Sequence, residues 1–318
     1  MQRSFPPIMR QYVLACMIMM VCAMLLGACG QSPPTAGFSS PPDAAEHTFV
    51  PVLAVSELEV GQNRLPLGII KNGSPVNDPD LKLHVRFYYL DGDDPTTVRS
   101  EADAVYRGQG LPVGIYIAYP QLDQAGAWAV EIEIPQADGP PQTSRIRVDV
   151  LAESPIPSVG SPAPATRNLT VRDLPDLTQL TSDSVPDPDL YQLTIAEAIA
   201  ANKPFLVTFS TPGFCQTAVC APNLHVIKQL KDQLRDEMNF IHVEVYPYPF
   251  SESFQMQRTV PAMREWHLRT EPWTFLVDAD GIIQAKYEGG LTLVELEPAL
   301  CQLIHGEPVD PTQSSLFC

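Results

Sequence analysis

"FSTPGFCQTAVCAP", residues 209–222, sets Cys215 and Cys220 five positions apart, just after an apolar run. Such a pair can be a working redox couple, a structural staple or a metal clip. On one continuous helix, five positions turn roughly 140° past a full revolution, which carries the two sulfurs out of bonding range. The pair therefore closes only if Cys215 lies in a loop and Cys220 near the first helical turn. Pro222 permits that arrangement, because proline is tolerated in a first turn and not deep inside a helix. Pro212 and Gly213 supply a tight turn that exposes Cys215.

The flanking sequence alternates helix and strand. "LTIAEAIAANKPFLVTFS" opens with Thr194 three residues before Glu197, a capping-box signature for a helix start. Asn202-Lys203-Pro204 ends that helix. "PFLVTFS" is then a mostly apolar run, as expected of a central strand buried on both faces. Beyond the cysteines, Leu224, Ile227, Leu230 and Leu234 recur at helical intervals, and "FIHVEVY" (240–246) alternates as a strand. "WTFLVDADGIIQAKYEG" reads as a hairpin turning at Asp280-Gly281. "LTLVELEPALCQLIHG" reads as a closing helix that Pro298 either kinks or begins. The order is helix, strand, helix, strand, hairpin, helix.

That order, the cysteines at a strand-to-helix junction and the "EPWTFLV" segment before the hairpin resemble the thioredoxin superfamily, over roughly residues 190–306. The resemblance implies a cis-proline beside the cysteine pair, and Pro272 is the matching position. It implies that Cys215 attacks, Cys220 resolves the mixed disulfide, and Pro272 shapes the groove that takes an extended partner chain. A thiolate, not a thiol, attacks disulfides. A helix's first turn favours a negative sulfur, and Cys215, where the strand ends, is placed to use it. The sequence departs from the family in having four residues between the cysteines rather than two, and Phe214 where tryptophan is usual. The buried acid expected beneath the pair has no clear counterpart; Glu244 on the next strand is a candidate for it but reads rather as solvent-facing.

Other readings use the same residues. A stable disulfide in a non-catalytic binding or scaffold protein is one. A peroxiredoxin-type peroxidase would use Pro212, Thr217 and Cys220, with one residue too many between the first two. An SCO-type copper chaperone would add His267, which falls a few residues early. No metal ligand set and no cofactor is expected.

At the N-terminus, Arg3 and Arg10 precede "YVLACMIMMVCAMLLGAC", an apolar run of export-signal length. Leu26-Gly27-Ala28-Cys29 resembles the lipobox of bacterial lipoproteins. That implies cleavage after residue 28, lipidation of Cys29, and a chain tethered by lipid to the membrane of the cell envelope, facing away from the cytoplasm. The formal charge of -17 becomes -19 once the two arginines of residues 1–28 leave, since that segment holds no acid. So acidic a chain repels nucleic acid, and none is expected as partner. Four cysteines then remain: Cys215, Cys220, Cys301 and Cys318. An even count in an oxidising compartment favours disulfides. Proximity favours Cys215 with Cys220, which leaves Cys301 with Cys318 as a structural bridge.

Proline-rich stretches mark the joints: a tether at 29–47 and a linker at 153–189. Between them the chain reads as all strand. Leu83, Val85 and Phe87 alternate with polar residues, as do Trp128, Val130, Ile132 and Ile134 with Glu131 and Glu133 opposite. About seven such strands suggest an antiparallel β-sandwich over 48–152. Its loose motifs resemble the immunoglobulin-like YtkA-type domains of bacterial surface proteins, which implies a binding or spacer module. His47 and His84 read as surface or packing residues. The expected protein is thus an immunoglobulin-like sandwich followed by an α/β thioredoxin-like domain (190–318). Its expected activity is thiol–disulfide exchange with an exported protein or a membrane redox partner.

Overall fold

The computed structural model describes residues 48–136 and 139–313. The stretch read as an export signal, the stretch read as a tether with Cys29, and Cys318 lie outside the described residues.

Residues 48–151 form a β-rich region. Its strands are β1 (Phe49–Leu53), β2 (Leu58–Glu59), β3 (Gly61–Gln62), β4 (Leu65–Lys71), β5 (Ser74–Pro75) and β6 (Leu83–Tyr89). Then come β7 (Val98–Tyr106), β8 (Tyr116–Ala118), β9 (Gln121–Leu122), β10 (Gly126–Ile134) and β11 (Gln142–Leu151). The main path runs β1-β4-β8-β7-β6-β10-β11-β2. Strand β7 belongs to both halves: residues 98–104 pair with β6, and Val105 and Tyr106 pair with β8. The period-two pattern explains the burial. Leu83, Val85, Phe87, Trp128, Val130 and Ile132 point into one core. The opposite face is tied by charge, because Glu131 stands in register with Arg86 on one neighbour and Arg145 on the other. Short strands of two or three residues, too brief to show alternation, raise the number above the seven expected. One pairing, β2 on β11, is parallel.

The following residues fold as α1 (Ile195–Ala200), β12 (Phe205–Ser210), α2 (Cys220–Leu234), β13 (Asn239–Glu244), α3 (Phe250–Gln255) and α4 (Pro261–Glu265). They finish with β14 (Trp273–Val277), β15 (Ile283–Glu288) and α5 (Leu293–His305). The sheet order is β13-β12-β14-β15. Only β12 and β13 are parallel, and α2 is the crossover that such a pair requires. Every residue of β12 is buried, because cores lie on both sheet faces: Val207 and Phe209 point to one, Leu206 to the other. The capping box at Thr194 and Glu197 is present. Pro298 lies inside α5 rather than at its start. Two short helices, α3 and α4, interrupt the expected strand-to-hairpin step; each follows or opens on a proline.

The proline-rich stretch read as a linker, 153–189, makes packed contacts. Gly160 and Ser161 exchange backbone hydrogen bonds with Ile283 on the outer edge of β15, and Ala196 N donates to Thr166 O. Ile156, Ala163 and Leu180 are buried. Proline-rich composition hid this, because part of the contact is made by backbone along an open strand edge and the apolar residues that pack are too sparse to show a period.

The β-rich region also docks on the α/β region. Arg64 Nε lies 2.6 Å from Glu295 Oε1 and Arg64 Nη2 lies 2.9 Å from Oε2. The same guanidinium donates to the carbonyls of Glu288 and Gly290, both at 2.7 Å. Tyr119 Oη donates to Glu295 at 2.6 Å. Burial alone would lower the arginine's pKa; the glutamate's charge raises it instead. At Gly290 a Cβ would stand 2.4 Å from Ile115 Cδ1, so the Ile115 side chain packs directly on the glycine where the two regions meet.

Candidate functional site

Strand β12 delivers the chain to Thr211-Pro212-Gly213, a turn closed by Phe214 N donating to Thr211 O at 3.1 Å. Gly213 is required by close approach: a Cβ there would lie 2.9 Å from Ser182 O. Ala218, at φ 58°, is in the left-handed region and ends the loop. Helix α2 then begins at Cys220. Cys215 and Cys220 are bonded, with Cα atoms 6.0 Å apart, inside the usual disulfide range.

The two sulfurs sit in different surroundings. Cys220 is fully buried, whereas Cys215 is partly exposed and within 3.3 Å of Thr217 Oγ1. Cys215 lies in the loop and Cys220 in the first helical turn, as closure of the pair requires, so the helix-start advantage read for Cys215 belongs to Cys220. The four intervening residues form the loop, so the helix and its unpaired N–H groups start only at the second cysteine. Pro222 falls in that first turn.

The Glu271–Pro272 peptide bond is cis, as is Tyr248–Pro249. Pro272 is buried, and its carbonyl accepts from Gly289 N at 2.9 Å. Its neighbour Glu271 reaches the disulfide, with Oε2 4.0 Å from Cys220 Sγ. Burial, reinforced by the charge of Glu244, pushes the Glu271 carboxyl up to about 8. Sequence reasoning gave Glu271 no role; its only signal was its position directly before Pro272.

Glu244 is a correction. It is 6% exposed, not solvent-facing. Its Oε2 accepts from Ser182 N at 2.7 Å and Ser182 Oγ at 2.9 Å, while Oε1 is buried with no partner at hydrogen-bond distance among the described residues. Burial pushes this carboxyl up to about 7. The outer face of β13 is covered by residues 177–191, so the polar positions of its alternation are inside. His242, on the same strand, is held between Tyr191 Oη at 2.7 Å and Ser210 Oγ at 3.0 Å, and burial pushes it down to about 4. Ser182 serves both acid and turn, since Gly213 N donates to Ser182 Oγ at 2.9 Å.

Asn223, one turn into α2, ties the helix to the segment behind Pro272: its Nδ2 donates to Gly289 O at 2.8 Å and its Oδ1 accepts from Leu291 N at 2.9 Å. His267 is exposed, two residues past the end of α4; among the described residues no cluster of three or more His, Cys, Asp or Glu side chains is suited to a metal. Cys301 is buried on α5. Its expected partner lies outside the described residues.

Residues 191–304 match the family model of the thioredoxin-like domain. The chain thus carries a thioredoxin-like domain behind a β-rich region, with a cysteine pair at disulfide distance that fits a thiol–disulfide role. No curated protein matches the chain. A solved structure of a DUF4426 family protein from Pseudomonas aeruginosa PAO1 aligns at 14% identity over 34% of this chain and 90% of that one, with a TM-score of 0.23. That score defines no shared fold.

Proposed function

We propose that the protein is a membrane-tethered thiol–disulfide oxidoreductase of the cell envelope, acting on exported proteins or a membrane redox partner. The observation that carries the reading is the asymmetry of the pair: an accessible Cys215 bonded to a buried Cys220 at a helix N-terminus. A partner thiolate can reach only Cys215. As the new S–S bond to Cys215 forms, the Cys215–Cys220 bond breaks and its electron pair leaves on Cys220. The start of α2 stabilises that thiolate. Glu271, neutral at pH 7, holds a proton beside it. In the reverse direction, Cys220 attacks Cys215 and releases the partner's sulfur. Electrons move between sulfurs, so no cofactor is called for. Lipidation of Cys29 would keep the reaction at the membrane surface, and Pro272 would border the partner chain.

Equilibration with thiol–disulfide buffers tests the proposal. A potential above roughly -300 mV is expected; a more reducing one marks a structural bridge. In cells, Cys220→Ser is expected to accumulate mixed disulfides through Cys215, and Cys215→Ser to accumulate none.

A further inference from the structure

Beside the disulfide runs a cleft of about 590 Å³, within the size range of ligand sites. One wall is the thioredoxin-like domain, including Thr217, Phe254 and Glu271. The other is the β-rich region: Val52 on β1, with Gly68 and Ile70 on β4. Val52 and Gly68 are register partners on adjacent strands, so they share one face of the sheet. Val52 is 46% exposed, a large apolar side chain left open toward the cleft.

Gly68 is the informative residue. It lies inside a strand, where glycine weakens the element and marks a place that another backbone approaches. Its φ is not positive, so the conformation does not demand glycine. A Cβ built there would meet only Val52 Cβ, at 4.0 Å. The space above it is therefore free, within this protein, for a side chain the sequence does not supply.

From this geometry we infer that the β-rich region forms half of the partner-binding site. The occupant is an extended polypeptide segment whose cysteine is flanked by apolar residues. It lies between the β1–β4 face and the Glu271–Pro272 loop. This deepens the exchange reading and rests on it. Gln216, Thr217 and Val219, the loop between the two cysteines, line the cleft, so an occupant that reacts with the adjoining disulfide brings sulfur. The exposed Val52, with the half-buried Ile70 beside it, suits apolar neighbours of that cysteine. The acidic net charge disfavours an acidic partner.

The test uses full-length protein carrying Cys220→Ser, with Cys215 reduced. Its probe is a short peptide with a valine- and leucine-flanked cysteine, capped as the mixed disulfide with thionitrobenzoate. The Cys215 thiolate attacks the peptide sulfur, an S–S bond to the peptide forms, and thionitrobenzoate leaves as a coloured thiolate. Ellman's reagent offers the same leaving group without a peptide. The rate with peptide, divided by the rate with Ellman's reagent, is expected to fall roughly tenfold or more on adding Gly68→Leu. Val52→Arg, at a half-exposed position that does not endanger folding, is expected to do the same and decides the matter if Gly68→Leu misfolds. A glutamate-flanked peptide is expected to react more slowly than the apolar one. An unchanged ratio in both variants, with far-UV spectra intact, overturns the inference and leaves the exchange reading standing. Failure of the parent Cys215 to react with the peptide at all, while it reacts with Ellman's reagent, overturns the exchange reading itself.

Discussion

Glu271 beside Cys220, buried Glu244 linked through Ser182 to the turn before Cys215, and buried His242 on the same strand as Glu244 titrate so as to pull stability in opposite directions. Glu271 is raised from an ordinary 4.5 to about 8 and Glu244 to about 7. The folded protein therefore holds their protons more tightly than the unfolded chain does. Their contribution is fully present below pH 4.5 and is lost as pH rises through 7 to 8. His242, lowered from 6.5 to about 4, behaves oppositely: its contribution is present above pH 6.5 and is lost as pH falls through 4. Between pH 6.5 and 8 only the two acids act among these three. The urea midpoint of the oxidised protein is expected to fall across that interval. Glu271→Gln, which cannot ionise, is expected to flatten most of the fall above pH 7, leaving the Glu244 part below it. An equal slope in the variant would mean that Glu271 ionises normally.

At the scale of the element, what could be read from the sequence divides along a physical line. The capping box, the apolar run of β12 and the helical spacing of α2 are local patterns, and each forms as written. Thr194→Ala is expected to cost about 1 kcal/mol, measured by urea unfolding, because the first-turn N–H of Glu197 loses its acceptor. Strand β13 was legible as a strand and illegible as to its surroundings. Alternation says which residues share a face, but not whether that face is covered, and here residues 177–191 cover it. The helix start at Cys220 was likewise open until the loop before it was seen. The ties between elements left no local trace at all. Asn223 is one polar residue in an amphipathic helix, yet it is 2% exposed and bonds both sides of the Gly289–Leu291 segment. Asn223→Ala leaves a buried N–H and a buried carbonyl unpaired, at about 3 kcal/mol in total. The readout is denaturant unfolding of the oxidised protein.

Across the whole molecule, the joint between the two regions rests on Arg64 and Glu295, with side chains 7% and 1% exposed. Removing one partner of such a pair strands the other charge away from water. Arg64→Ala is expected to lower stability by about 3–5 kcal/mol and to split thermal unfolding into two transitions. Arg64→Met combined with Glu295→Leu is expected to recover part of that loss, since no unpaired charge remains, although the carbonyls of Glu288 and Gly290 lose their donor. A single transition in Arg64→Ala would show that the remaining ties, Lys286 to Glu59, Ser56 N to Glu288 and Ile115 against Gly290 among them, hold the joint without it.

One serine reaches past the border that similarity draws. The stretch alike to thioredoxin-like domains starts at residue 191, and Ser182 lies upstream of it, capping Glu244 on one side and the turn before Cys215 on the other. A chain trimmed to the recognisable stretch would let water onto that acid, which would then ionise near the normal range. It would also unfasten the turn that presents the first cysteine. The redox unit, as a physical object, is larger than its family outline, and potentials measured on the trimmed piece would belong to a different molecule.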